Sequence, residues 1–301
     1  MDTSPLRNRL LLVVTAVLFS TGGVAIKAIA LSAWQIACFR SAVAAAALLL
    51  LVPQARRGWT WRMAPVSAAY AATLVAFVLA NRLTTAANAI FLQSTAPLYV
   101  FLLAPWLLRE RLQRSDAVYI MAVAGGLALF FIGREPAVAT APAPERGNLF
   151  ALASGVTYAF VLLGLRWLGR DQRRDCGLAT VALGNILAFL AALPMAAGGS
   201  MGRSLPGAAD VAVILYLGIA QIGLAYFCLT RAMRRVTAFE ATAILLLEPA
   251  LNPVWVWLVH GEKPGGWALA GGSLILSATL LNTWKQTVAV SLKNSRSFAD
   301  M

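Results

Sequence analysis

The chain has 301 residues, of which 60% are hydrophobic and 12% are charged, and its net charge is +13. A soluble domain carries about 25% charged residues, so this composition excludes an ordinary water-soluble fold. The cations are scattered between apolar runs without the basic face that phosphate binding needs, which argues against a nucleic-acid partner. Cys38, Cys176 and Cys228 lie far apart in the sequence, so neither a disulfide framework nor a zinc site is indicated.

The apolar residues group into ten segments, each close to the length of about 20 residues that crosses about 30 Å of hydrocarbon as a helix. In chain order the segments are 9–29, 33–53, 63–81, 86–108, 115–133, 148–168, 176–197, 208–228, 238–259 and 264–284. The first also fits a cleaved signal peptide, because Ala28-Ile29-Ala30 resembles a signal peptidase site. Its apolar run is longer than a usual signal core, which favours a retained helix. The sequence therefore predicts an all-α integral membrane protein with ten transmembrane helices.

The orientation of these helices follows from the loop charges. Alternating sides assign 18 Lys and Arg residues to the side of the N-terminus and 5 to the other side, while Lys27 and Arg40 fall within segments. Cytoplasmic loops keep the excess of positive charge. We expect a multi-pass protein of a bacterial-type inner (plasma) membrane, with both termini cytoplasmic.

A shift of 152 positions aligns parts of the two halves. The matched pairs are Ala80 with Ala232, Arg82 with Arg234, Thr85 with Thr237, Ala86 with Ala238, Ala89 with Ala241, Pro97 with Pro249 and Glu110 with Glu262. These matches predict a five-helix repeat at 1–140, a second at 141–285 and a polar tail at 286–301. Because five is odd, the second repeat enters the membrane from the opposite side. Inverted repeats around a central cavity are typical of secondary transporters.

Several short motifs resemble a known family. They are Phe39-Arg40, Ala96-Pro97 followed by Leu108-Arg109-Glu110-Arg111-Leu112, and Leu247-Glu248-Pro249 followed by His260-Gly261-Glu262. Over about residues 9–285 the chain resembles the drug/metabolite transporter superfamily, and within it the ten-span EamA-type proteins. The resemblance implies two inverted five-helix repeats around a central substrate cavity, with the fifth and tenth spans peripheral. Similar members include exporters of amino acids, notably aromatic ones.

Glu248 is the one acidic residue near the middle of a predicted span. An intramembrane carboxylate is costly unless it faces polar groups, which makes it a candidate functional residue. Contact with a substrate amine and proton coupling are two possible roles. A helix-packing hydrogen bond beside Pro249 is the structural alternative, and the sequence leaves the choice open.

The other cavity candidates are aromatic or uncharged polar residues within spans: Phe19, Tyr70, Phe77, Asn88, Gln93, Tyr99, Tyr158 and Gln221. Their rings could stack on an aromatic or cationic substrate, and each could equally fill space or bond to a neighbouring helix. A shift of 139 positions pairs Phe19 with Tyr158, which favours both as cavity residues. Lys27 and Arg40 lie toward the outer ends of their spans and are assigned to gating or topology.

Glycine and proline mark candidate points of bending. Gly22 and Gly23 indicate either close helix packing or a hinge. Pro97 and Pro249 occupy matching sites, where proline frees a backbone carbonyl and bends a helix. Kinks there would shape both halves of one cavity, although a static kink in a packed bundle explains them equally well.

The leading hypothesis is a carrier that exports amino acids, aromatic or otherwise apolar, and related small metabolites by alternating access. It requires no cofactor or metal, its partners are a small-molecule substrate and the lipid bilayer, and a monomer is compatible with the sequence. A quaternary-cation or multidrug exporter is an alternative, because an aromatic cavity suits such ligands. Sugar-phosphate exchange would need a cation near the midplane, and none is expected there. A membrane-embedded enzyme is disfavoured because His260 is the single histidine, at a membrane edge.

Overall fold

A computed structural model describes residues 5–107, 114–132, 137–169, 176–198, 206–233 and 244–299, together with positions 236 and 241. The first half contains α1 Pro5–Ser20, α2 Gly22–Ala28, α3 Ala33–Leu51, a 3-10 helix Pro53–Arg56, α4 Met63–Leu83, α5 Ala86–Gln93, α6 Ala96–Leu107 and α7 Arg114–Ile132. The second half contains α8 Pro144–Gly169, α9 Gly177–Gly198, α10 Ala208–Leu215, a π-helix Tyr216–Leu224, α11 Ala225–Ala232, α12 Leu247–His260 and α13 Gly266–Ala299. The described residues outside the helices form short connections, with one isolated bridge between Val138 and Ala141.

The membrane character predicted from composition is confirmed. Six helical stretches are long and apolar enough to cross a bilayer, and Ala117–Ile132 is a shorter apolar helix. Large apolar side chains such as Leu50, Met121 and Leu258 are exposed on the outside of the bundle, as expected where lipid replaces water. Every predicted segment contains described helix, but the count of ten crossings stays a prediction.

Local sequence signals set several helix ends. Ser32 and Gln35 form a capping box at the start of α3, and the Thr85 side chain accepts a hydrogen bond from the Asn88 N–H at the start of α5. Gly261 ends α12 in the left-handed conformation with φ of 66°, which glycine adopts without the strain of a side chain. The predicted polar tail at 286–301 continues α13 as helix to Ala299.

Two predicted spans are interrupted rather than continuous. The first breaks at Thr21 between α1 and α2, and the fourth breaks at Ser94 and Thr95 between α5 and α6. Pro97 and Pro249 both stand in the first turn of the helix that holds them. In that turn a proline removes no intrahelical hydrogen bond. Each therefore lies at the start of a helix, and Pro97 directly follows a break.

Helix contacts repeat between the two halves. In the predicted repeat, α1 is equivalent to α8, and α4 is equivalent to α11. The structure packs α1 on α11 and, equivalently, α8 on α4. Likewise, α12 is equivalent to α5 and α6 together, and α8 is equivalent to α1 and α2 together. α12 contacts α1 and α2, and α5 and α6 contact α8. Two further contacts, α3 with α9 and α7 with α13, join equivalent helices of the two halves. This pattern is what two related repeats packed about a pseudo-twofold axis produce.

Candidate functional site

A cavity of about 120 Å³ lies between the two halves of the bundle. Its walls come from α1, α3, α4, α5 and the break after it, α8, the π-helix, α11 and the start of α12. The lining residues are Phe19, Arg40, Tyr70, Thr73, Leu74, Phe77, Ile90, Gln93, Ser94, Tyr158, Gln221, Ile222, Tyr226 and Glu248. The described parts of α7 and α13 contribute none of these residues.

Aromatic rings form much of the wall. Phe19 and Tyr226 meet edge to face with ring centroids 5.1 Å apart, and Tyr70 and Tyr226 do the same at 5.5 Å. Such T-shaped contacts stabilise ring pairs beyond simple burial. Phe19 and Tyr158, which the sequence paired by symmetry, both line the cavity. The wall is thus preformed from rings that can accept an apolar or aromatic group.

A basic and an acidic side chain, Arg40 and Glu248, line the same cavity. Arg40 is 1% exposed, and neither its Nε nor its Nη1 has a hydrogen-bond partner. Within the described residues these two side chains form no ion pair with each other; the ion pair found there joins Lys27 to Glu262. Both charged groups of the cavity remain available to a ligand.

Arg40, which the sequence interpretation placed toward the outer end of its span and assigned to gating or topology, lines the cavity in the structure. α3 begins at Ala33, so Arg40 is its eighth residue and lies about 10 Å along the helix at 1.5 Å per residue. Its side chain turns into the cavity instead of snorkelling to the surface. The absence of a cation near the midplane, which weighed against sugar-phosphate exchange, stays a prediction, but the cavity wall does contain a cation.

Uncharged polar groups line the remaining wall. Gln93 Nε2 donates to Ser154 Oγ over 2.7 Å. Thr73 Oγ1 donates to Thr157 Oγ1 over 2.9 Å, so α4 and α8 are joined beside the cavity. Gln221 lies on the π-helix, a rare helix type that occurs often at functional sites. These side chains offer donors and acceptors between the aromatic residues and the two charges.

Some predicted site residues lie elsewhere. Asn88 is buried away from the cavity, where its Nδ2 donates to Asn148 Oδ1 over 3.2 Å, and Tyr99 on α6 is not among the lining residues. Gly22 and Gly23 pack against amides: a Cβ on Gly22 would approach Gln221 Nε2 at 2.9 Å, and one on Gly23 would approach Asn252 Oδ1 at 2.7 Å. Pro249 adjoins Glu248 without lining the cavity itself. Glu110 lies outside the described residues.

The lining residues that sequence reasoning missed are Arg40, Thr73, Leu74, Ile90, Ser94, Ile222 and Tyr226. A usable signal existed for Ile222, because the 152-residue shift pairs it with the predicted cavity residue Tyr70. The same shift pairs Leu74 with Tyr226, but neither was a predicted cavity residue. Arg40 has no such signal, since the second repeat has no matching arginine.

A second buried polar region, here named the Lys27 cluster, consists of Lys27, Thr84, Ala86, Thr140 and Glu262. Lys27 Nζ lies 2.9 Å from Glu262 Oε2, and their side chains are 4% and 5% exposed. Lys27 Nζ also donates to the carbonyls of Thr84 at 3.0 Å and Thr140 at 2.5 Å. Glu262 Oε1 accepts the Ala86 N–H at 2.7 Å. Lys27 therefore does not snorkel; it joins the end of α2 to three separate connections between helices.

The described part of the chain contains no cluster of three or more His, Cys, Asp or Glu residues that could hold a metal ion. All three cysteines are free and buried.

Comparison with known proteins identifies a family. The model of the EamA-like transporter family matches residues 8–132 and again residues 145–284. One solved crystal structure superposes with a TM-score of 0.62 over 93% of this chain and 98% of the other, at 18% sequence identity. That identity supports a shared fold alone. No curated protein matches the chain.

Proposed function

The chain belongs to the EamA-like transporter family, and from that premise we propose that it exports amino acids, aromatic or otherwise apolar, and related small metabolites by alternating access. Members of this family are membrane transporters of the drug/metabolite superfamily and not enzymes, which supports transport over catalysis for this chain. The proposed substrate is a free small molecule, with no cofactor involved.

The observation that carries the proposal is the cavity between the halves, with charges of both signs beside an aromatic wall. A free amino acid has a cationic amine, an anionic carboxylate and a side chain. Glu248 suits the amine, while rings such as Phe19 and Tyr226 suit an apolar or aromatic side chain. No other described cavity residue is acidic. This set of groups fits an amino acid better than a wholly apolar compound.

Alternating access is supported by the repeated helix contacts and by the interrupted helices at the cavity. Gln93 and Ser94 stand at the break after α5, and Glu248 stands in the first turn of α12. Discontinuous helices at the interface of inverted repeats are common at transporter substrate sites. We take 1–140 and 141–285 as the two repeats, which enclose the two family matches. Rocking of one half against the other would expose the cavity to each side in turn.

The proposed placement is a bacterial-type inner membrane with both termini cytoplasmic, from the excess of Lys and Arg on one side. Because Cys38, Cys176 and Cys228 are buried, single cysteines added in the loops can be labelled against a low background. Membrane-impermeant maleimide on whole cells should label the loop near Thr140 and leave the loop near Arg57 unlabelled. Labelling of both loops, or the reverse pattern, contradicts this topology.

Export of quaternary or other organic cations is a second candidate. The aromatic wall together with Glu248 favours it, since cations bind over aromatic faces. The unpartnered Arg40 in the same cavity disfavours it, because a cationic ligand would meet a like charge.

Uptake into proteoliposomes tests the proposal. The purified full chain is reconstituted and supplied with radiolabelled amino acids from Phe, Trp, Tyr and Leu to Asp and Lys, with and without a proton gradient. We expect saturable uptake of the aromatic and apolar members above that of empty liposomes. Uptake of tetraphenylphosphonium with none of any amino acid would favour the cation exporter and defeat the amino-acid assignment.

A further inference from the structure

The function proposed above leaves open which substrate group Arg40 binds, yet Arg40 is the most unusual group in the cavity. Its side chain is almost fully buried, it lines the cavity, and two of its three guanidinium nitrogens lack partners. A buried charge is costly unless it is paired and hydrogen-bonded. Lys27, the other buried cation described here, has both a carboxylate and carbonyls around it. Arg40 has neither, so its guanidinium N–H groups can donate hydrogen bonds to a ligand that enters the cavity.

We propose that Arg40 is the anchor for the substrate carboxylate and so restricts the carrier to zwitterionic amino acids with a free carboxylate. This inference rests on the proposed function and adds the substrate class to it. A guanidinium presents several N–H donors in a plane and binds a carboxylate through two parallel hydrogen bonds. Lysine would supply the charge without that geometry.

Glu248 completes the recognition. It lines the same cavity as Arg40 but forms no ion pair with it among the described residues. The two side chains therefore do not neutralise each other directly, and a ligand with separated charges satisfies both. An amine without a carboxylate leaves Arg40 unpaired, and a carboxylate without an amine leaves Glu248 unpaired. A site built to bond a polar group rejects analogues that lack it, because its own buried group is left without a partner.

Competition against labelled L-phenylalanine in proteoliposomes tests this in the unaltered protein. The competitors are phenethylamine, which lacks the carboxylate, and 3-phenylpropionate, which lacks the amine. We expect each to inhibit at least about tenfold more weakly than unlabelled L-phenylalanine, the loss expected for one charged hydrogen-bonding group. Inhibition by phenethylamine equal to that by L-phenylalanine overturns the role of Arg40 without any variant.

Variants then assign the effect to the side chain. Arg40→Gln should raise the KM for L-phenylalanine at least about tenfold and should not weaken inhibition by phenethylamine, which has no carboxylate and loses a like charge. Arg40→Lys should fall between the two. Arg82→Gln is the matched control, since Arg82 lies outside the cavity and donates to the carbonyl of Ile29 at 3.1 Å; its KM should not change.

The two proposals fail differently. If the unaltered chain takes up no amino acid, the proposed function fails and the role of Arg40 fails with it. If the unaltered chain takes up L-phenylalanine and Arg40→Gln does so with the same KM, the proposed function stands and the carboxylate anchor is overturned. Size-exclusion profiles and melting temperatures of each variant show whether a changed KM comes from a folded protein.

Discussion

The central cavity and the Lys27 cluster both bury ionisable side chains between helices, but the two regions differ in whether those side chains have partners. In the Lys27 cluster the ammonium meets one carboxylate and two carbonyls, and the carboxylate also accepts a backbone N–H. In the cavity, Arg40 has unpartnered nitrogens beside open space. Buried charges that are paired with each other and hydrogen-bonded to the backbone hold a structure in one arrangement. Unsatisfied charges around open space are what a ligand site requires.

The Lys27 cluster and the cavity also lie at different levels of the helix bundle. The Lys27 cluster joins the end of α2 to the connections around Thr84, Thr140 and Glu262, at one end of the bundle. It ties both halves together there. The cavity lies farther along the same helices, where α5 ends and α12 begins. An alternating-access cycle under the proposed function would have to separate the Lys27 cluster while leaving the cavity residues with their substrate.

Removing one partner from the Lys27 cluster should produce the largest effect on stability. Lys27→Met leaves Glu262 buried without its counter-ion, and breaking a buried ion pair in this way costs about 3–5 kcal/mol. We expect a clearly lower melting temperature for the purified protein in detergent. The double variant Lys27→Met/Glu262→Leu should recover much of the loss, because no charge is left unpaired.

Arg40→Met is the comparison variant from the cavity. No partner of Arg40 is left unpaired among the described residues, so its melting temperature should stay near that of the unaltered protein or rise. Equal destabilisation by Lys27→Met and Arg40→Met would remove the distinction between the two regions.

Neutralising Glu248 should give the next largest effect, on transport and not on stability. Glu248→Gln removes the charge that would bind the substrate amine, and charged hydrogen bonds contribute about 1.5–3 kcal/mol. Amino-acid uptake should fall about tenfold or more at subsaturating substrate, while Glu248→Asp retains part of it. Unchanged uptake by Glu248→Gln would end the charge-based role and leave helix packing beside Pro249 as its function.

Replacing Tyr226 should have a smaller effect that depends on the substrate. Tyr226→Leu removes the ring that contacts both Phe19 and Tyr70, and aromatic pairs contribute about 0.5–1.5 kcal/mol beyond burial. The KM for L-phenylalanine should rise more than the KM for L-leucine. Tyr226→Phe keeps the ring and serves as the control. Equal changes for both substrates would show that Tyr226 supports the wall without contacting the side chain of the substrate.

The smallest effect is expected at Gly22. A Cβ there would meet Gln221 Nε2 at 2.9 Å, the end of a flexible side chain that can shift. Gly22→Ala should therefore cost less than the about 1–3 kcal/mol typical of overpacking, with uptake retained. Strongly reduced uptake at an unchanged melting temperature would instead support Gly22 as a hinge.

Composition and segment length alone were enough to predict an all-helical membrane protein, because an unbroken apolar segment of about 20 residues crosses lipid as a helix with every backbone group bonded within the segment. The repeat could also be predicted from the sequence, since Pro97 and Pro249, like Glu110 and Glu262, are separated by the same 152 positions. Glu248 was identifiable for the same physical reason: a carboxylate within an apolar run is costly and so seldom incidental.

Only the tertiary structure decided which face of each helix meets the cavity. In a soluble protein, the buried face of a surface helix can be identified from the sequence because the opposite face is polar. A helix in lipid is apolar on every side. The sequence therefore could not separate Tyr226, which lines the cavity, from Tyr99, which does not. Nor could it show that Lys27 pairs with Glu262, 235 positions away, while Arg40 stays unpaired. Those outcomes depend on which helices pack together, and that is settled by contacts between the halves and not by any local pattern.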